Sequence, residues 1–221
     1  MLRRRPSKAN LRTSVIVPCV NAHANLLPEL LAYVIAQSVR PDEVVISISG
    51  AVTAPPHVRA YAEGCPFPVR ILASALRANA ARNRNRASDA STGDVLIYQD
   101  ADDLPHPQRV EIIKHVFETY ELHHVMHHFT KSEGAQSPKW SHYALPAAVH
   151  TDPSFVFYYD VTNGNVATSR ALHRAVHWPE NVSVGEDVHF NKAAYERFPG
   201  ATGVLKLPLL FYRQHLSGTR Y

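Results

Sequence analysis

The chain has 221 residues, 45% hydrophobic and 19% charged, which suits one α/β domain with a substantial core. The formal net charge of +4 equals the run Arg3, Arg4, Arg5 and Lys8, so the remainder is near neutral and argues against a nucleic-acid partner. Two cysteines, Cys19 and Cys65, exclude a disulfide framework and suit a reducing, cytoplasmic compartment; no apolar run approaches the ~18–20 residues of a membrane span.

Residues 1–12 read as a basic, flexible tail without the apolar region of a signal peptide, and with no membrane span either, any membrane contact is expected to be peripheral. Val15-Ile16-Val17 is a short β-branched run, expected as a buried strand. After Asn21–Asn25, the residues Leu26, Leu27, Leu30, Leu31, Val34 and Ile35 recur at helical spacing, with Pro28 tolerable in the first turn. Strands follow at Val44–Ile48, Val69–Leu72 and Val95–Tyr98, with helices near His57–Glu63 and over Ala78–Ala90. Further on, helices are expected from Pro107 to Tyr120 and from Glu186 to Phe198, and a strand over residues 155–159; the polar stretch from Lys131 to Pro153 reads as a long loop. Strands alternating with helices predict a mostly parallel sheet covered on both faces. Such sheets bind ligands at the carboxyl ends of their strands. That singles out Pro18–Asn21, Ser49-Gly50 and Asp100–Asp103.

Asp100-Ala101-Asp102-Asp103 places three carboxylates within four residues, directly after an apolar strand. Poorly solvated acids this close repel one another, and a divalent cation relieves the repulsion. Hard oxygen ligands suit Mg²⁺ or Mn²⁺, and a bound diphosphate can complete the shell. A helix cap or a solvated turn is the bland alternative.

Several segments together resemble family-2 glycosyltransferases. Thr13–Asn21 resembles the opening strand of that family, and Ala81-Arg82-Asn83 its A-R-N helix. Gly93–Asp103 resembles the strand ending in D-x-D, Gly185-Glu186-Asp187-Val188 the G-E-D motif, and Tyr212–Ser217 the terminal Y-R-x-H segment. The resemblance covers residues 13 to about 217 in the order of the family. It implies a GT-A fold, a nucleotide-diphospho-sugar donor, a divalent Mn²⁺ or Mg²⁺, and inversion at the anomeric carbon. Residues 13–221 would form one domain, with a nucleotide-sugar half at 13–104 and an acceptor half at 105–221. By motif, Asp102 is the prime metal ligand, with Asp100, Asp103 and His215 beside it. Asp187 is the general base and Glu186 shapes the acceptor side. Pro18, Val20, Asn21, Ser49, Arg82, Asn83, Asp100 and Ala101 would hold the donor. The acceptor would be a hydroxyl, on a glycan. The helix carrying Arg82 could direct a positive end at the phosphates, whereas Arg84 and Arg86 read as a solvated face.

Two departures bear on the donor. Val20 cannot stack on a base, and Ser49 stands where the family usually has an acid; UDP is the favoured nucleotide, with dTDP and GDP as alternatives. His123-His124-Val125-Met126-His127-His128 reads as a solvated or acceptor-side strand, not a metal site. His23 follows the first strand, within reach of a nucleotide, and Trp178 reads as a packing aromatic. A sugar-nucleotide nucleotidyltransferase is the competing enzyme, but Pro18–Asn25 lacks the glycines of its signature loop. A non-catalytic glycan- or nucleotide-binding module would be expected to lack Asp102 or Asp187, and both are present.

Overall fold

The computed structural model describes residues 2–7, 9–131, 137–151, 165–182 and 184–213. The strand expected at 155–159 and His215 lie outside these. In the first half the strands β1 (Thr13–Val20), β2 (Glu43–Ser49), β3 (Val69–Ser74) and β4 (Val95–Tyr98) are parallel, in the order β3-β2-β1-β4. A 3₁₀ segment, Asn21–Leu26, leads into α1 (Leu27–Ile35), and α2 (Pro56–Glu63) and α3 (Ala80–Ala90) provide the next crossovers. Pro28 and Pro56 occupy first-turn positions, where a missing N–H is tolerated.

Side chains alternate along each strand, and this divides the core into two layers. Val15, Val17, Val44, Ile46 and Ile97 belong to the layer that holds Leu27, Leu30, Leu31 and Val34 of α1, Val58 of α2, and Ile113 and Val116 of α4 (Arg109–Thr119). Ile16, Val45, Leu96 and Tyr98 belong to the other, with Ala81 and Ala87 of α3, Phe190 of α6 (Glu186–Arg197) and Trp178. Burial on both faces is why these strands read as continuous apolar runs. At the entry to β4 the chain passes so close to β1 that a Cβ on Gly93 would stand 2.4 Å from Ser14 Oγ.

The second half extends the sheet with β5 (Leu104–Pro105), β6 (His124–Lys131), β7 (Val166–Ser169) and β8 (Thr202–Tyr212), and adds α5 (Arg170–Ala175). Among the described residues the order is β3-β2-β1-β4-β7-β6-β8-β5. Strand β7 is antiparallel to β4 and β6, β6 and β8 are parallel, and β5 is antiparallel to β8. Four of the seven pairings are parallel. No described helix is long and apolar enough to cross a membrane. Residues of the basic N-terminal segment lie along the end of α4, where the Arg5 N–H donates to Thr119 O at 2.9 Å and Arg5 Nε to Phe117 O at 2.8 Å.

The histidine run differs from its expected placement. Strand β6 lies between β7 and β8, and His124 and His127 are fully buried rather than solvated. Register shifts on both sides of His128 break the simple alternation of faces. His124 Nε2 is 3.0 Å from Asn191 Oδ1, and His127 Nε2 accepts from Arg109 Nε at 3.0 Å. A neutral imidazole with a hydrogen-bond partner is a tolerable core group. Burial lowers both pKa values, that of His124 to about 4.

Candidate active site

The carboxyl ends of β1 and β4 and the amino ends of α3 and α6 enclose a cleft of about 270 Å³. Strand β1 contributes Pro18 and Val20, the turn after β4 contributes Asp100 to Asp103, and the first turn of α6 contributes Glu186 and Asp187. His23, Arg84 and Tyr212 complete the walls. Positions 18 to 212 therefore meet at one place, the crevice that a parallel sheet leaves beyond its strand ends.

A buried cation knits the acids together. Arg84 Nη2 donates to Asp100 Oδ1 at 2.7 Å, and Nη1 lies 3.4 Å from Glu186 Oε1. The Arg84 side chain is 1% exposed, and its guanidinium carbon lies 4.7 Å from the centre of the Trp178 ring. Trp178 itself stacks on Phe190 at 4.0 Å, so it packs as expected. The solvated placement expected for Arg84 is thus overturned. Arg-Asn occurs twice in succession, at 82–83 and 84–85, and the fold turns the second arginine into the cleft. Helical spacing puts Arg84 on one stripe with Ala81, Ala87 and Ser88, but Asn83 and Asn85 are buried as well, so spacing alone does not single it out. Arg82 falls on the outer face, 59% exposed and 3.8 Å from Glu180.

Other expected donor contacts sit behind the wall. Asn83 is buried; its Oδ1 accepts from Ser47 Oγ at 2.8 Å, and its Nδ2 donates to Ser49 Oγ at 3.0 Å. Ser49 Oγ donates in turn to Ala78 O at 3.2 Å, so both residues brace α3 against β2. Asn21 is exposed at the start of the 3₁₀ segment. Arg213 lies beside the acids: its N–H donates to Asp103 Oδ1 at 3.0 Å, its Nε to Asp102 O, and its Nη1 pairs with Glu29 at 2.7 Å. This fastens the end of β8 to α1 and to the turn after β4.

Burial, reinforced by repulsion from Asp100, raises the Asp102 pKa. Burial first, then Asp102 and Asp100, raises that of Asp103 well above the usual carboxylate range. Burial also raises that of Asp187, with Glu186 adding to it. Cys19 is pushed up to about 12 by burial, so its thiol is inert. Beneath the cluster, Arg109 is fully buried and donates to Gln99 Oε1 and Tyr98 O, both at 2.7 Å. Gln99 Nε2 donates to the backbone oxygens of Asp100 and Asp103 at 3.0 Å.

The cleft suits a hard divalent cation. Asp103 Oδ2 is buried without a hydrogen-bond partner, and two neighbouring carboxylates bear an electrostatic penalty that a cation would relieve. Asp100 is already paired with Arg84, which leaves Asp102 and Asp103 as the better candidates. Their arrangement is not a closed cage: among the described residues, the group of three ligand atoms within 4.8 Å of one another is Asp89, His173 and His177, outside the cleft. A Mg²⁺ or Mn²⁺ held by one or two carboxylates and completed by ligand phosphates fits that openness.

The fold is that of a GT-A enzyme. Residues 14–178 match the model of Glycosyl transferase family 2, and the chain belongs to that family. S. aureus TarS 1–349 in complex with UDP superposes with a TM-score of 0.70 at 17% identity, over 91% of this chain and 60% of that one. The Pyrobaculum calidifontis mannosyltransferase PcManGT, in complex with GDP-Man and Mn²⁺, gives 0.65 at 20% identity, over 100% of this chain and 62% of that one. Glucosyl-3-phosphoglycerate synthase from Mycobacterium tuberculosis, in complex with Mn²⁺, UDP and glucosyl-3-phosphoglycerate, gives 0.65 at 16% identity, over 94% and 74%. This chain spans about 60% of the length of TarS 1–349. No curated protein sequence matches the chain.

Proposed function

We propose that the chain is a metal-dependent, inverting glycosyltransferase that moves a sugar from a nucleotide-diphospho-sugar, UDP-linked by preference, to a hydroxyl on a glycan. The observation that carries this reading is that carboxylates from two separate elements, Asp102 and Asp103 after β4 and Asp187 on α6, line one cleft. The solved structures with UDP, with GDP-Man and Mn²⁺, and with UDP and Mn²⁺ support the donor class and the metal. On this reading residues 13–104 serve the donor, residues 105–221 the acceptor, and the enzyme works in the cytoplasm.

Asp102, with Asp103 behind it, would hold Mn²⁺ or Mg²⁺, which when bound offsets the charge growing on the leaving diphosphate. Asp187 accepts the proton of the acceptor hydroxyl. That oxygen bonds to the anomeric carbon while the bond from carbon to phosphate oxygen breaks on the opposite face, which inverts the centre. The raised pKa of Asp187 brings its basicity closer to the working pH, as a general base requires. Arg84 holds Asp100 and Glu186 in place through its two ion pairs, and Glu186 shapes the acceptor side.

The test is a panel of nucleotide sugars with Mn²⁺, followed for donor hydrolysis and for transfer, on the parent and two variants. Asp187→Asn should leave donor affinity near the parent value and lower transfer by roughly 10²–10⁴-fold. Asp102→Asn should weaken donor binding in the presence of metal. Normal transfer by Asp187→Asn, with only a lowered melting temperature, would reduce Asp187 to a favourable first-turn acid of α6.

A further inference from the structure

At the end of α3 remote from its amino terminus, Asp89 in the last turn, His173 on α5 and His177 in the loop beyond each bring one ligand atom to within 4.8 Å of the other two. His173 Nε2 is 2.7 Å from Asp89 Oδ1, and the rings of His173 and His177 are centred 5.0 Å apart with planes at 33°. Asp89 and His173 border a groove of about 610 Å³ that shares no lining residue with the carboxylate cleft.

We propose that Asp89, His173 and His177 form a second metal site, for Zn²⁺ or a similar borderline transition-metal dication, which staples the last turn of α3 to the loop carrying Trp178. Two imidazoles and one carboxylate are a set that binds Zn²⁺ and disfavours Mg²⁺, whose ligands are oxygens. His173 is 2% exposed, and its Nδ1 is buried with no hydrogen-bond partner, so Asp89 is the group that fixes the ring. Asp89 and His177 are exposed, which gives an ion a way in and leaves room for water to complete its shell. Two donors about 2.1 Å from a tetrahedral ion stand about 3.4 Å apart, so the His173–Asp89 contact must open by about 0.7 Å. Asp89, 60% exposed, can give that much.

The staple would act on a loop that matters to the cleft. His177 adjoins Trp178, whose N–H donates to Asn85 Oδ1 and whose carbonyl accepts from Asn85 Nδ2, both at 2.9 Å. The Trp178 ring lies against Arg84. An ion would add a further tie between α3 and this loop, beside those from Asn85, Arg82 and Arg84.

Equilibrium dialysis of the full chain against Zn²⁺ tests the site, with Co²⁺ as an optical probe, on the parent and on His177→Ala, Asp89→Asn and Asp102→Asn. Circular dichroism checks that each variant is folded. The expected result is one bound Zn²⁺ that persists in Asp102→Asn and weakens by about tenfold or more in both His177→Ala and Asp89→Asn. The visible Co²⁺ bands, and a Zn²⁺-induced rise in melting temperature, should be lost with it. Binding unchanged in those two variants, loss confined to Asp102→Asn, or no saturable binding by the parent would each overturn the proposal.

Discussion

Replacing Arg84 by methionine tests the central electrostatic arrangement while keeping most of the packing volume. The substitution removes a cation held 2.7 Å from Asp100 and 3.4 Å from Glu186, and leaves two acids without it in a partly closed cleft. Breaking a fully buried pair by deleting one partner costs about 3–5 kcal/mol. The carboxylates here retain 21% and 16% exposure, so water repays part of that and about 2 kcal/mol is the better figure. Loss of the guanidinium from the Trp178 face, 4.7 Å away, adds about 1 kcal/mol. The total of about 3 kcal/mol corresponds to a melting temperature lowered by roughly 6–12 °C in a chain of this size. Urea unfolding gives the free energy, and a double-mutant cycle with Asp100→Asn isolates the pair. Neutralising Asp100 in the methionine background should recover more than half of the ion-pair cost, about 1–2 kcal/mol, as coupling, the remainder belonging to Glu186. A cost below about 1 kcal/mol, or coupling within about 0.5 kcal/mol of zero, would return Arg84 to an ordinary helix face.

Three further outcomes are expected. Chelation by EDTA should abolish donor turnover, and Mn²⁺ or Mg²⁺ should restore it; full activity in the chelated protein would remove the role given to Asp102. Discrimination among UDP, dTDP and GDP should be weak, because Val20 offers no aromatic face and the Ser49 hydroxyl is engaged by Asn83 and Ala78. Calorimetry showing a preference above about 3 kcal/mol, well beyond one net hydrogen bond, would refute this. His124, whose pKa falls from an ordinary 6.5 to about 4 by burial, should make stability fall as the pH drops below 6.5. The unfolded chain then binds a proton that the folded chain refuses, a loss of about 2 kcal/mol by pH 5. Protonation of Asp102, Asp103 and Asp187 works in the opposite sense, so the comparison is with His124→Gln, which should lose about 2 kcal/mol less between pH 7 and pH 5.

The sequence by itself determined the first half of the sheet and the place of its chemistry. Runs such as Val95–Tyr98, and Val44–Ile48 apart from Ser47, are apolar because both faces are covered, and Asp100–Asp103 follow the last of them after Gln99. The motif order also brought Glu186 and Asp187 to the cleft. Strands β7 and β8 and helix α5 were not legible: Val166–Ser169 has only four residues, Arg170–Ala175 is less than two turns, and β8 carries Lys206 and Pro208 within an otherwise apolar run. Periodicity states which face of one element is apolar, but a charged or polar side chain goes inside only where another element supplies its partner. Arg84 needs Asp100 and Glu186, His127 needs Arg109, and Ser49 needs Asn83, partners 16 and 102, 18, and 34 residues away in the chain. Only the tertiary structure could therefore decide that the second Arg-Asn pair, not the first, turns its arginine into the cleft. It likewise decided that Ser49 and Asn83 hold the wall rather than line it, because burying a polar group is favourable only when its partner is already in place.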